Sequence, residues 1–232
     1  SDLLRATKRD WRRIRGGGIS MIMQDPKYSL NPVMTVGRQI EEAFLVHGNN
    51  SKRVARERTL EMLRAVRIRE PERVYHAYPH EVSGGMGQRI MIAMMLIPDP
   101  GLLIADEPTS ALDVTVQLQV LAILDDLVSE RGMGLIFISH DLSVVKYVSD
   151  QVAVMCSNAI MADLFEGEER ERLLRENRGG HIVELKPPDE LYRNPEHPYT
   201  KRLIAAIPTG DPGQIKTKRV NELIRQSSGG QE

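Results

Sequence analysis

The chain has 232 residues, 41% of them hydrophobic and 27% charged, ordinary globular usage that excludes a disordered or fibrous class and allows one good core with a small second lobe. Thirty-one Lys and Arg against 32 Asp and Glu leave a formal charge of -1, so no global basic field holds a nucleic acid by counterion release. No apolar run reaches the roughly 18 to 20 residues needed to span a bilayer, and residues 1–15 alternate charges instead of forming a signal-peptide core.

In chain order, the first apolar run is residues 19–23, closed by the polar turn Gln24-Asp25-Pro26. Residues 35–69 form a different block, two helical stretches separated by Gly48-Asn49-Asn50-Ser51, which predicts a helical lobe inserted into a sheet domain. The sequence Val82-Ser83-Gly84-Gly85-Met86-Gly87-Gln88-Arg89 then opens a helix-compatible apolar run at 90–97, and a second strand-like run follows at 102–105. Val120, Leu121, Leu124, Leu127 and Val128 recur at helical spacing until Gly132 stops them, and further strand-like runs lie at 135–138 and 152–155. Because all four strand-like runs are non-alternating, they predict a parallel α/β sheet covered on both faces. Cys156, the only cysteine, excludes an internal disulfide and any four-cysteine metal site, and is expected to be a core residue. Residues 164–178 are densely charged, with Glu168 and Arg172, and Glu171 and Arg175, set four apart as on a solvated helix. Beyond Pro187-Pro188 the chain is punctuated by proline, and from Thr209 it is polar and expected to fray.

The candidate chemistry sits at the ends of the strands. Asp106 and Glu107 close an apolar strand at its carboxyl end, where open α/β sheets bind ligands. One carboxylate there can hold magnesium while its neighbour polarises a water for attack on a terminal phosphate. Ser83-Gly84-Gly85 at a helix start offers free N–H groups, a hydroxyl and the positive end of the helix dipole. Ser139-His140-Asp141 and Gln24 stand at two further strand ends. Each of these alone has a bland reading: a turn signal, a flexible Ser-Gly loop or a structural histidine.

Taken in series, Gln24, Ser83-Gly84-Gly85, Asp106-Glu107-Pro108, Ser110-Ala111-Leu112-Asp113 and His140 resemble the ABC ATPase family from its glutamine loop to its histidine loop. The resemblance implies an α/β P-loop NTPase core with a parallel sheet, incomplete at its N-terminus, with an inserted helical subdomain and a small C-terminal extension. The expected divisions are a partial core with the glutamine loop at 1–34, the helical subdomain at 35–82, the rest of the core at 83–156 and the extension at 157–232. ATP and Mg2+ are the implied cofactors. By resemblance Ser83, Gly84 and Gly85 touch a γ-phosphate bound to a partner subunit, Asp106 organises magnesium, and Glu107 is the general base or water-polariser. His140 contacts the γ-phosphate, Gln24 senses magnesium and water, and Asp113 lies along the dimer seam.

The stretch Gln24-Asp25-Pro26-Lys27-Tyr28-Ser29-Leu30-Asn31-Pro32, Met86, and residues 192–208 around His197-Pro198-Tyr199-Thr200 look like the oligopeptide, dipeptide and nickel importer ATPases, Met86 resembling the first of their two paired subunits. That implies a paralogous ATPase partner, two transmembrane permease subunits, an external solute-binding protein acting indirectly, and a place on the cytoplasmic face of a bacterial inner membrane. The permease is expected to dock on the helical lobe around Gln39, Glu41, Glu42 and Tyr78-Pro79-His80.

Two departures stand against the family pattern. No Gly-Lys-Ser or Gly-Lys-Thr occurs anywhere, so the phosphate-gripping loop is missing, the chain's own ATP site is expected to be crippled, and the chain reads as the C-terminal part of a longer ancestor or gene product. About twenty extra residues also intervene between Ser157 and the stretch Gly180 to Glu184. Two other readings compete: a non-catalytic relic or structural partner, and a soluble ABC ATPase of DNA repair or translation, which would need coiled-coil or basic segments that the sequence lacks.

Overall fold

The computed structural model describes residues 3–24, 29–48, 51–110, 112–176 and 179–207. Residues 25–28 of the expected glutamine loop, the Asn49-Asn50 turn, Ala111, the end of the charged segment at 177–178 and the polar tail from 208 lie outside the described residues. The described residues divide into two units, one up to residue 138 and one from residue 139.

In the first unit a short helix, α1 (Lys8–Ile14), is started by a capping box in which Thr7 accepts from the Asp10 N–H while the Asp10 carboxylate accepts from the Thr7 N–H. A turn through Gly16, at φ 85°, leads into β1 (Ile19–Ile22). This strand pairs in parallel with β2 (Leu102–Asp106), which pairs in parallel on its other side with β3 (Gly134–Ile138). The register sets Ile22 beside Ala105, and Asp106 beside Ile138.

One face of this sheet carries Ser20, Ile22, Leu103 and Ala105, all buried, with Leu135 and Phe137 packed against the same core. That core is closed by α5 (Gly84–Leu96) and α6 (Val114–Arg131), which contribute Ile90, Met91, Leu96, Val120, Ile123 and Leu124. Among the described residues nothing covers the opposite face: Met21 is 39% exposed, Ile136 47% and Ile138 45%. This corrects the expectation of a sheet buried on both faces. An apolar run without alternation reports that both faces are greasy, but whether a second layer lies over them depends on the rest of the chain, which the run itself does not encode.

The helical lobe consists of α2 (Val36–His47), α3 (Lys52–Ala65), capped by Ser51 accepting from the Val54 N–H, and α4 (Pro71–His76), with proline in its first turn. Close approach holds it together: a Cβ on Gly37 would lie 2.3 Å from the Tyr75 ring, so only glycine lets α2 and α4 meet there. The Tyr75 hydroxyl donates to Glu41. Gln39, expected on a docking face, is instead buried; its amide donates to the Asn31 and Met34 carbonyls at 3.0 and 2.9 Å and accepts from the Asn31 N–H at 2.7 Å. It closes the loop before α2 and offers nothing to a partner. The helix α6 ends as predicted at Gly132, which takes the left-handed conformation at φ 59°.

In the second unit α7 (Leu142–Val148) is capped by Asp141, and β4 (Val152–Cys156) pairs antiparallel with β5 (His181–Lys186). Between the strands lie α8 (Asn158–Ala162), which the sequence did not announce, and the charged helix α9 (Gly167–Glu176). Here Glu171 and Arg175 pair as expected at 2.9 Å, but Arg172 pairs with Glu169 at 2.6 Å, three residues back, instead of with Glu168. Cys156 is buried, as expected of a core thiol. Two short helices, α10 (Pro188–Arg193) and α11 (Pro198–Ala205), complete the unit around a small core of Val145, Val152, Val154 and Leu191. The buried Glu184 carboxylate fastens α11, accepting from the Glu196 N–H at 2.9 Å and the His197 N–H at 3.0 Å, with Lys186 at 3.3 Å.

Candidate functional site

The centre of the site is the carboxyl end of β2. Asp106 is its last residue, and at Glu107 the backbone turns into the left-handed region, φ 46°, which aims the next side chain away from the strand line. Two contacts pin that turn: the Glu107 N–H donates to the Ile138 carbonyl at 2.9 Å, and the Ser110 hydroxyl donates to the Glu107 carbonyl at 3.2 Å. Ser110 is thus a supporting residue whose role the sequence reading did not state, although its place three residues after the glutamate is a common turn spacing.

Gln24 reaches the same point from β1. The register that sets Ile22 beside Ala105 carries on to place position 24 level with 107, and the Gln24 Nε2 donates to the Glu107 Oε2 at 2.8 Å. An amide to carboxylate bond of this kind orients the acid.

The second cluster lies at the start of α5. Ser83 is its N-cap, the hydroxyl accepting from the Met86 N–H at 3.4 Å. Gly84 is exposed and a Cβ there would meet nothing within 4 Å, whereas a Cβ on Gly85 would lie 2.7 Å from Val116 Cγ1. The two glycines therefore serve different ends: Gly84 leaves an open backbone approach, and Gly85 lets the starts of α5 and α6 touch. Asp113 is the N-cap of α6, its carboxylate accepting from the Val116 N–H at 3.0 Å. The positive ends of two helices are therefore adjacent at Gly85 and Val116.

His140 belongs to the second unit and is exposed there, between Ser139, whose hydroxyl accepts from the Asp141 N–H at 3.0 Å, and the cap of α7. The structure thus brings Gln24 to Glu107, and Gly85 to the helix that Asp113 caps; His140 is described within its own unit.

Among the described residues no cluster of three or more His, Cys, Asp or Glu side chains forms a metal site. Asp106, half-buried at the strand end, supplies one carboxylate. That fits a magnesium ion held mostly by water and phosphate oxygens, which uses only one or two protein carboxylates. For a nucleotide the residues fit the side facing the terminal phosphate. They do not fit the phosphate cradle, since no Gly-x-x-x-x-Gly-Lys-Ser/Thr occurs in the sequence.

Comparison with known proteins matches the family model "ABC transporter" to residues 2–110, and "Oligopeptide/dipeptide transporter, C-terminal region" to residues 183–229. The chain belongs to the ABC transporter ATPases. This ABC chain is 47% identical over 207 residues to the probable peptide ABC transporter ATP-binding protein y4tR of Sinorhizobium fredii, covering 89% of the chain and 55% of that protein. It is 44% identical over 208 residues to the oligopeptide transport ATP-binding protein OppD of Bacillus subtilis, covering 90% of the chain and 52% of that protein. The chain spans about half the length of these curated relatives. Among solved structures it is similar to the dimeric ATP-binding cassette MJ0796 in a post-hydrolysis state bound to ADP and Pi, with TM-score 0.57 and 27% identity over 64% of this chain and 63% of that one. The fold expected of an ABC ATPase, with its parallel sheet and helices, is the fold observed. No helix among the described residues is long and apolar enough to cross a membrane.

Proposed function

We propose that the chain is the ATP-hydrolysing, energy-coupling part of an ABC importer for peptides, and that it acts at the membrane as a peripheral subunit on the cytoplasmic face. The observation that carries this reading is the 2.8 Å contact between Gln24 and Glu107 at the carboxyl edge of a parallel sheet. It is supported by the family match and by the peptide-transport names of the relatives. Nickel, which the sequence motifs also allow as cargo, has no support from those names.

In this reading Glu107 takes up the proton of a water aimed at a terminal phosphate, and Gln24 fixes the carboxylate in the attacking orientation. Asp106 would hold Mg2+, which neutralises charge on the phosphate oxygens. Ser83 and the open Gly84 backbone present donors to the phosphate of a nucleotide held by a partner, with Gly85 and Asp113 keeping the two helix starts together at the dimer seam. His140 donates to the γ-phosphate. A paralogous ATPase supplies the phosphate-gripping lysine loop that residues 1–232 do not contain, which leaves this chain's own half-site weak. The expected divisions, core, helical subdomain and extension, carry these roles. Two permease subunits dock on the helical lobe through Glu42 and the stacked pair Tyr78 and His80, whose ring centroids lie 5.7 Å apart; a solute-binding protein acts through them.

The test is ATP hydrolysis by the chain alone and mixed with a peptide-importer ATPase subunit that carries a phosphate loop. The expected result is negligible turnover alone and stimulated turnover in the mixture, lost with Ser83→Arg in this chain. Tight micromolar MgATP binding by the chain alone would contradict the half-site reading. Absence of any stimulation would favour the second reading, a non-catalytic structural partner, for which the lack of Gly-Lys-Ser/Thr speaks.

A further inference from the structure

We infer that Arg89 is a positioning residue for Ser83: its guanidinium ties the end of the helical lobe to α5 and α6, so that the place of Ser83 depends on the place of the lobe. The inference rests on the proposed role of Ser83 at a partner-held nucleotide and deepens it.

Arg89 lies on α5 six residues beyond Ser83, roughly 9 Å along the helix axis. One terminal nitrogen of its guanidinium donates to the Arg67 carbonyl at 3.3 Å, and the other donates to the Gln119 side-chain carbonyl. Arg67 closes α3 in the left-handed conformation, φ 59°, its N–H donating to the Arg64 carbonyl at 2.8 Å while the Ile68 N–H donates to the Leu63 carbonyl at 2.9 Å. The carbonyl that Arg89 meets is thus part of a closed turn. The Arg67 guanidinium donates in its turn to Asp126 at 2.6 Å. Gln119 and Asp126 stand seven residues apart and so share one side of α6, two turns from each other. Three elements are joined in a ring: the lobe through Arg67, α5 through Arg89, and α6 through Gln119 and Asp126.

As a source of stability the ring is poor. Burial first, then the like charges of Arg67 and Arg69, pull the Arg89 guanidinium below its ordinary proton affinity, and its Nε is buried with no hydrogen-bond partner among the described residues. Apolar packing already holds the same elements together, since Leu63 and Val66 of the lobe share one core with Ile90, Met91, Val120 and Ile123. What such packing lacks is direction, and a planar fork whose two ends meet acceptors on different elements supplies it. The two helices so fixed are the ones that begin at Ser83 and Asp113 and touch at Gly85 and Val116.

The experiment has two arms: hydrogen exchange on the full chain alone, and ATP hydrolysis in the mixture with a phosphate-loop subunit. In the first, Arg89→Ala should speed exchange of the Met86 and Gly87 N–H groups, which donate to Ser83, by about ten-fold. In the second it should lower stimulated hydrolysis about ten-fold. A residue that acts through Ser83 loses its effect once the Ser83 hydroxyl is gone, so in a Ser83→Ala background the same substitution should lower hydrolysis by less than about three-fold. Gln119→Ala, which keeps the Arg67 contact, should act in the same direction in both arms and serves in place of Arg89→Ala if that variant does not fold. Unchanged exchange at Met86 and Gly87 overturns the inference whether or not the mixture hydrolyses ATP, and so does an equal loss of hydrolysis in the parent and Ser83→Ala backgrounds. Faster exchange beside a parent mixture that shows no stimulated hydrolysis would count against the proposed function and leave the linkage standing.

Discussion

Gln24 and Glu107, 83 residues apart in the chain, are joined side chain to side chain at 2.8 Å across the ends of two neighbouring parallel strands. The bond holds the carboxylate in one orientation at the strand end. Glu107→Gln removes the base but keeps the size and a hydrogen-bonding partner for Gln24. Residual phosphate release at this chain's own half-site should fall about 10²- to 10⁴-fold, while the stimulated release in the mixture, which depends on Ser83, should be largely kept and the unfolding temperature unchanged.

The two signature glycines separate function from packing. Gly84→Ala meets empty space, so the stability of the chain should be unchanged or slightly raised, alanine being the better helix former. Stimulated hydrolysis should nonetheless drop, because the methyl group intrudes where a phosphate approaches the backbone. Gly85→Ala, with its Cβ 2.7 Å from Val116, should destabilise the chain by about 1 to 3 kcal/mol. Urea unfolding of both variants beside their phosphate release makes the comparison.

In the helical lobe, Gly37→Ala drives a methyl group into the Tyr75 ring and should cost about 1 to 3 kcal/mol, measured by urea unfolding. Tyr75→Phe removes only the bond to Glu41 and should cost about 1 kcal/mol. A Gly37→Ala variant as stable as the parent would show that α2 and α4 separate without penalty.

Glu184 makes the second unit sensitive to acid. Burial pushes its carboxyl up, but the N–H groups of Glu196 and His197 together with Lys186 outweigh burial and hold it at about 2, below the ordinary 4.5. A lowered carboxyl stabilises the folded form above pH 4.5, and that contribution is lost as pH falls from there through about 2. Unfolding temperature should decline over this window. Glu184→Gln should be less stable than the parent at neutral pH and should flatten the decline.

The sequence carried the first three strands, the stop at Gly132 and the order of the strand-end residues, because each rests on local chemistry: apolar runs, a left-handed glycine and turn residues next to a run; the fourth run, 152–155, was expected in the parallel sheet but pairs antiparallel with β5 in a sheet of its own. It did not carry the uncovered face at Ile136 and Ile138, since an apolar run reads the same with or without a layer above it. Gln39 was misplaced because a buried amide is indistinguishable in sequence from an exposed one; only the loop at Asn31 and Met34 explains it. In α9 the choice of Glu169 over Glu168 by Arg172 reflects near-equal spacings of three and four along a helix. The family resemblance marked Gln24 and Glu107 separately, while their direct contact depends on the strand register between them.

The backbone at Glu107, at φ 46°, occupies a region that suits glycine and costs a side-chain-bearing residue on the order of 1 to 3 kcal/mol. Random replacement filtered by thermodynamic robustness alone would move this position toward glycine, which adopts the same turn without penalty. A glutamate persists there only while its acid group is in use, so position 107 is the one to compare in relatives that have lost hydrolysis: they should be the ones with glycine.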